Sequence, residues 1–330
     1  MNPLLALTLF FSLALTQGLS LEEALRKAPS LNPVQAALLE EESKKKELER
    51  TLADPLKTAL SELQARQAYA LAQAKRARAL RQAESSLVAA YTGVLEAELQ
   101  LRLAEKALLL SQKAEKATEI RVKGGGASLL ELERARKDRL EAEKTLRLAE
   151  AGLRAARANL KSLTGSEEAL PLGPLPAPPE GVEALMAQNP DLLQLRQSLE
   201  LLDFQLGLLD ESFTPRREME NLKAQRESLA KTLAEAERGL RLALEGGLER
   251  LKALYGGIGA AEAAYKAAQD QLEADRKRFK AGLLSEIGLL QSELATLQAE
   301  LSLLQAKTGY LKAYYELPLA FAPSGQSGSR

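Results

Sequence analysis

Leucine and alanine recur every seven residues along much of this chain. Leu80, Leu87, Val94, Leu101 and Leu108 hold one seam position, and Ala83, Ala90, Ala97 and Ala104 hold the other. A heptad sustained this long predicts a helix that supercoils left-handedly along a partner helix. Alanine at one of the two seam positions lets the helix axes approach closely. The pattern runs over 56–120 with no proline and a single glycine, Gly93. At 1.5 Å per residue such a helix extends about 95 Å. A break follows at 123–127, where Gly124, Gly125 and Gly126 supply positive φ and end the helix. The return helix is expected over 128–163, with Leu132, Leu146, Leu153 and Leu160 against Ala135, Ala142, Ala149, Ala156 and Leu163; Gly165 closes it. Arg139 stands at a seam position where leucine is expected, so either the seam opens there or the side chain snorkels.

Shorter elements precede this hairpin. Ser20 to Leu25 predicts a short helix with Ser20 and Glu23 as a reciprocal cap. Asn32-Pro33 marks a restart, and a helical pattern over 34–54 is halted at Pro55. After the hairpin, residues 166–181 carry five prolines and predict an extended, semi-rigid strap.

The whole arrangement then repeats. A short helix over 182–187, a restart at Asn189-Pro190, a helix over 192–213 and a break at Pro215 lead into a second long helix. Its heptad of Leu251, Ile258, Tyr265, Leu272 and Phe279 runs to a reversal at Ala281-Gly282. The last helix sets Ile287, Leu294 and Leu301 against Leu290, Leu297, Leu304 and Leu311 and ends near Pro318. Arg121, Lys123, Gly125 and Ser128 return at one offset as Arg278, Lys280, Gly282 and Ser285. Repetition of an entire helical unit predicts two like structural modules. The expected fold is all-α: duplicated long antiparallel coiled-coil hairpins over 19–165 and 182–317, joined by the strap, with a polar tail over 318–330.

Composition narrows what such a molecule does. Ala, Leu, Glu, Lys, Arg and Gln dominate, aromatics are 4%, and charges balance at 45 basic against 45 acidic. That is the composition of long helices, with no net field to favour nucleic acid. Cysteine and histidine are both absent, which removes disulfides, thiol nucleophiles, the commonest general base and the commonest metal ligand. An enzyme is a poor reading, and no metal or other cofactor is expected. Leu4 to Leu15 is an apolar run too short to span a bilayer as a helix, followed by small residues Thr16 and Gly18. It predicts a signal peptide over 1–18, cleaved after Gly18, and hence export.

The tips at Arg121–Ala135 and Arg278–Leu290 resemble those of the TolC-type outer-membrane efflux protein family. The order around them is similar too: Leu19-Ser20-Leu21-Glu22-Glu23-Ala24-Leu25, Asn32-Pro33, Pro55, long helix, tip, return helix, Leu163-Thr164-Gly165, then the set again. The resemblance implies a homotrimer whose hairpins close a periplasmic tunnel. It also implies tips that meet a periplasmic adaptor and, through it, an inner-membrane pump. Gly124, Gly125, Gly126 and Ser128, with Gly282 and Ser285, are the implied docking residues. One departure is plain. The family carries transmembrane strands after the positions of Pro55 and Pro215, whereas 56–79 and 216–229 read as charged helix. Attachment to the outer membrane is thereby left open. The expectation is an exported TolC-like helical component of an efflux or type I secretion assembly; the alternative is an exported coiled-coil scaffold or spacer without a transport role.

Three local features have competing readings. The triple glycine lacks the spacing of a phosphate loop and no strand precedes it, so a hairpin turn is expected. Glu40-Glu41-Glu42 before Lys44-Lys45-Lys46 reads as a solvated helix face with pairs at i,i+4. Tyr255, Tyr265, Tyr310, Tyr314 and Tyr315 read as edge packing, with a membrane-interface anchor weighed only for Tyr314-Tyr315.

Overall fold

The computed structural model describes residues 18–209 and 215–320. Residues 1–17 of the predicted signal segment, residues 210–214 and most of the polar tail lie outside these. Eight α-helices follow in order: α1 (Leu21–Leu25), α2 (Asn32–Ala53), α3 (Ala59–Lys123), α4 (Leu129–Thr164), α5 (Glu183–Ala187), α6 (Pro190–Gly207), α7 (Arg216–Lys280) and α8 (Glu286–Glu316). Short 3₁₀ turns stand at Ala28–Ser30 and Leu317–Leu319. Both α3 and α7 are 65 residues long and start and end at the same offset, Ala59 to Arg216 and Lys123 to Lys280.

Each long helix carries two shorter ones along its length. The first half of α3 packs against α2 and the second half against α4, while α7 does the same with α6 and α8. Contacts between α3 and α8, and between α3 and α6, join the two units. The helices towards the reversals therefore lie in the order α4–α3–α8–α7, with α4 and α7 at the edges.

The seam residues are the core. Ala83, Leu87, Ala90, Val94, Ala97 and Ala104 of α3 are buried, as are Leu132, Leu153 and Leu160 of α4. Leu240, Leu244, Leu248, Leu251, Ile258 and Leu272 bury the matching stripe of α7. Core clusters concentrate where the strap crosses between units. Tyr91 clusters with Leu153 and Leu160 in the first, Tyr310 with Leu244 and Leu248 in the second. The tyrosine hydroxyls anchor the strap: Tyr91 donates to the Leu170 carbonyl and Tyr310 to the Pro176 carbonyl, each at 2.6 Å. Leu19 and Ala169 form an isolated parallel bridge, and no strand is present among the described residues.

Several expectations hold and several need correction. The Ser20–Glu23 cap is present in both directions. Gly165 ends α4 with φ of 83°. As the charged pattern after Pro55 predicted, the chain there turns directly into α3 without a strand: the Leu56 amide donates to Asp54 Oδ1 at 2.8 Å, and Thr58 and Ser61 cap each other. The helix read over 192–213 stops at Gly207, past which Leu208 is exposed, and 210–213 of that reading lie outside the described residues. The acidic run does not pair at i,i+4. Glu40 and Glu41 reach Lys75 and Arg76 on α3, and Lys44 pairs with Glu47. Four of the tyrosines pack in a chain, Tyr255–Tyr310–Tyr314–Tyr315, with centroids 5.1 to 6.2 Å apart; the first two contacts are tilted and Tyr314–Tyr315 is edge to face.

Candidate functional site

The two reversals are the same object built twice. Helix α3 ends in Gly124 (φ −87°), then Gly125 at φ 73°. The Gly126 amide donates to Arg121 O at 2.7 Å, and the Gly125 amide to Val122 O at 3.0 Å. These are the two bonds of a Schellman ending, which satisfy carbonyls that a helix terminus leaves orphaned. Helix α7 ends in Ala281 and Gly282, also at φ 73°. Leu283 donates to Arg278 O at 2.8 Å and Gly282 to Phe279 O at 2.9 Å. Only the middle position needs glycine, since a left-handed residue with a Cβ is strained. The expectation that all three glycines supply positive φ is corrected: Gly124 and Gly126 do not.

Each returning helix starts on a serine. Ser128 accepts from the Glu131 amide, and Glu131 Oε2 accepts from the Ser128 amide at 2.7 Å. Those bonds from Ser128 hold the Glu131 carboxyl below its usual range. Ser285 accepts from the Gly288 amide at 3.1 Å, without a reciprocal partner. The difference is coupled to its neighbour. A Cβ on Gly288 would meet Leu284 Cδ1 at 2.8 Å, so Leu284 lies over the position that Glu131 occupies in the first elbow, where Ala127 leaves room.

All the predicted tip residues therefore sit in two elbows at one end of the molecule. Lys113 of α3 and Glu286, the first residue of α8, meet at 2.8 Å and hold the ends together. Ile120, Leu129, Leu130 and Leu283 are exposed there; Leu283 keeps 76% of its surface. The sequence reading did not pick out these apolar residues. The signal was available: the residue after the left-handed glycine normally packs on the one that opens the motif, and here that residue is Arg278.

Behind each elbow the seam turns polar. Arg139 reaches Glu115 across the hairpin at 2.6 Å and also contacts Glu143 on its own helix. The Arg139 guanidinium is thus paired and half-buried at its seam position. In the second hairpin the buried Asp275 carboxylate accepts from Ser292 at 2.6 Å and from Gln271 at 3.0 Å. Those bonds, Ser292 first, hold its pKa below the usual carboxylate range. The described residues hold no cluster suited to a metal ion, and no helix among them is long and apolar enough to cross a membrane.

Neither a protein-family model nor a curated protein sequence matches the chain. Solved structures do match its fold. The Campylobacter jejuni CmeC outer membrane channel superposes with a TM-score of 0.65 at 12% identity, covering 92% of this chain and 86% of that one. CusC, described as forming a transmembrane channel, gives 0.63 at 15%, over 90% of each chain. VceC, an outer membrane protein of Vibrio cholerae, gives 0.61 at 14%, over 91% and 94%. The duplicated-hairpin fold is thus the fold of these outer-membrane channels.

Proposed function

We propose that this chain is an exported subunit of a TolC-type conduit. Three copies close a helical tunnel in the periplasm, and the elbows dock a periplasmic adaptor that couples the tunnel to an inner-membrane pump. The mechanism requires no bond chemistry from the chain. It requires a rod of fixed length, a ring-forming edge and a tip that a partner reads.

One observation carries the reading: two elbows with the same Schellman geometry and serine start stand together at one end of two 65-residue helices. A spacer has no need of matched tips. Length fits as well, since 65 residues of helix extend about 97 Å.

The edges support closure with further copies. Gly256, Gly257, Gly259, Ala260, Ala263, Ala264 and Ala267 line the exposed face of α7. A Cβ on any of those three glycines meets nothing within 4 Å, so nothing inside the subunit calls for glycine there. Together they cost about 2 kcal/mol of helix stability relative to alanine. A helix that approaches closely from outside accounts for them. The opposite edge, α4, exposes Leu129, Leu140 and Leu148, and a groove of about 280 Å³ runs among Leu140, Glu143, Lys144, Arg147 and Leu148.

The spacer alternative is favoured by one feature, the direct turn from α2 to α3 at Asp54–Thr58. Bulk placed on the tips separates the readings. Gly126→Trp adds a side chain at a position without positive φ, and Leu283→Glu charges an exposed leucine. A conduit loses export of its cargo at least tenfold while the variants stay folded and trimeric. Unchanged export in both variants, or a monomer by light scattering at high concentration, refutes the conduit.

A further inference from the structure

Each long helix is flanked by two shorter helices set one after the other, and the gap between them differs in the two units. In the second unit it is filled. The chain tightens at Leu317–Leu319 directly after α8, and the Ala320 carbonyl accepts from Asn189 Nδ2 at 3.1 Å. Asn189 Oδ1 accepts in turn from the Asp191 and Leu192 amides and so caps α6. In the first unit Gly165 ends α4 in the left-handed conformation and the chain leaves for the strap. A groove of about 680 Å³ stays open between the end of α4 and the start of α2. Asn32, which the offset of the elbows makes the equivalent of Asn189, stands exposed on its wall, and α2 has no side-chain cap.

The groove is polar without being charged. Ser30, Asn32, Gln82, Ser86 and Ser162 supply its polar groups, and no charged side chain among the described residues lines it. That departs from a chain that is 27% charged. A groove of similar size between α3 and α7 carries Arg102, Lys106, Glu293 and Glu300. In the filled unit Gln82 and Ser86 correspond to Gly239 and Ala243, so the fold itself does not call for polar groups there. Such a lining suits an uncharged occupant rich in donors and acceptors, because a charge buried in it would lack a partner. The chain carries one: Ser324 to Ser329 reads Ser-Gly-Gln-Ser-Gly-Ser, with glycines that let the backbone approach closely.

That segment starts close by. Leu317–Leu319 packs on α3. Burial raises the Tyr315 pKa and the Glu84 charge adds to it, which sets the end of α8 beside Glu84 of α3. Glu84 is two residues from both Gln82 and Ser86, so it lies about 200° round the helix from each. The groove is therefore on the opposite flank of α3, a helix about 10–12 Å across. Six steps of extended chain, from Ala320 to Gln326, span about 20 Å, enough to pass round it.

We propose that the C-terminal segment of the same subunit passes round α3 and seats Gln326–Ser329 in this groove, as a latch that ties the second unit to the first. The Asn32 and Gln82 side-chain amides each offer donors and an acceptor to the backbone of the seated segment. The latch fills in the first unit the place that Leu317–Ala320 fill in the second. It needs no second copy, so it stands apart from the conduit reading.

The chain contains no cysteine, so introduced pairs report on the tail alone. One variant of the full chain carries Ser327→Cys with Ser86→Cys. Its control carries Ser327→Cys with Ala243→Cys, the equivalent position on α7, which is exposed like Ser86. Both are oxidised in dilute solution, and the disulfides are mapped by non-reducing gel and peptide mass. The expected result is a bond within one chain that forms at least tenfold faster at position 86 than at position 243. A rate at position 86 that is equal or slower overturns the proposal, and so does a bond at position 86 that joins two chains. Ser86→Trp gives a second reading by filling the groove. Nuclear magnetic resonance should then show sharp signals from residues 324–329 that are broad in the unsubstituted protein. Sharp signals from them before the substitution overturn the proposal as well.

Discussion

Replacing Gly125 by alanine isolates the cost of the left-handed elbow from everything else at the tip. An added Cβ meets no atom within 4 Å, so no clash contributes. What remains is backbone strain at φ 73°, which costs an alanine about 1–2 kcal/mol. The substitution also restricts the unfolded chain, which offsets about 0.4–1 kcal/mol. The net loss is about 1 kcal/mol. Gly124→Ala is the matched control. Its φ of −87° suits any residue, and its new Cβ sits 3.6 Å from Ile120 O, an ordinary contact. The second elbow already holds Ala281 at that position, with φ −80°. Gly124→Ala should therefore be neutral to stabilising, and the two variants should differ by about 1–2 kcal/mol. Urea unfolding followed by ellipticity gives the global difference. Hydrogen exchange at the Gly126 amide, bonded to Arg121 O, gives the local one. If Gly125→Ala proves as stable as Gly124→Ala by both measures, the Schellman elbow described above does not exist in solution.

Two further outcomes follow from the caps and the buried tyrosines. Ser128→Ala should cost about 1 kcal/mol as a lost N-cap. The reciprocal Glu131 carboxyl has a depressed pKa, so its contribution is present above the ordinary carboxylate range and fades as pH falls through the depressed value. Protection of the first-elbow amides, taken relative to their intrinsic exchange rate at each pH, should thus fall in acid, an effect absent in Glu131→Gln. Burial raises Tyr91 and Tyr310 to about 12. Their contribution is complete below the ordinary tyrosine value and is lost as pH climbs through the raised one. Burial also raises Tyr315, so tyrosinate absorbance should show Tyr91, Tyr310 and Tyr315 ionising late among the seven tyrosines, with release of the strap accompanying the first two; early ionisation of all seven contradicts the clamp.

Features encoded within a few residues were legible in the sequence, and features encoded across the fold were not. Heptads, caps and glycine stops fix their own local structure, so both elbows, the Ser20–Glu23 cap and the end of α4 at Gly165 could be read directly. The serine starts of the docking candidates were visible for the same reason. Partners 35 residues or more away were not. Glu40 and Glu41 have equally good local cations in Lys44 and Lys45, and only packing of α2 on α3 makes Lys75 and Arg76 nearer. The strap's anchors were hidden likewise, because nothing in the spacing of Tyr91 and Tyr310 points to a proline-rich segment. At the tips, composition gave three candidate glycines, and only the backbone angle singles out Gly125.

The duplication itself yields the most demanding test of how the two units stay equivalent. By the offset of the elbows, Tyr91 corresponds to Leu248 and Leu153 to Tyr310. Each root therefore holds one tyrosine and one leucine, on opposite helices, and all four side chains are buried. Total volume is kept while the positions exchange, which close-packed cores tolerate far better than a net change. Tyr310→Leu alone removes the bond to Pro176 O and leaves a void. It should cost about 1 kcal/mol for the hydrogen bond and more for the space. Leu248→Tyr alone overfills the same cluster, at about 1–3 kcal/mol. Together they recreate the arrangement of the first root, where a tyrosine on the long helix reaches the strap. The double variant should recover at least about 1 kcal/mol relative to the summed singles, a coupling of the size seen between touching core residues. Strictly additive losses in a denaturant double-mutant cycle show that the correspondence of Tyr91 with Leu248 and of Leu153 with Tyr310 does not extend from sequence to packing.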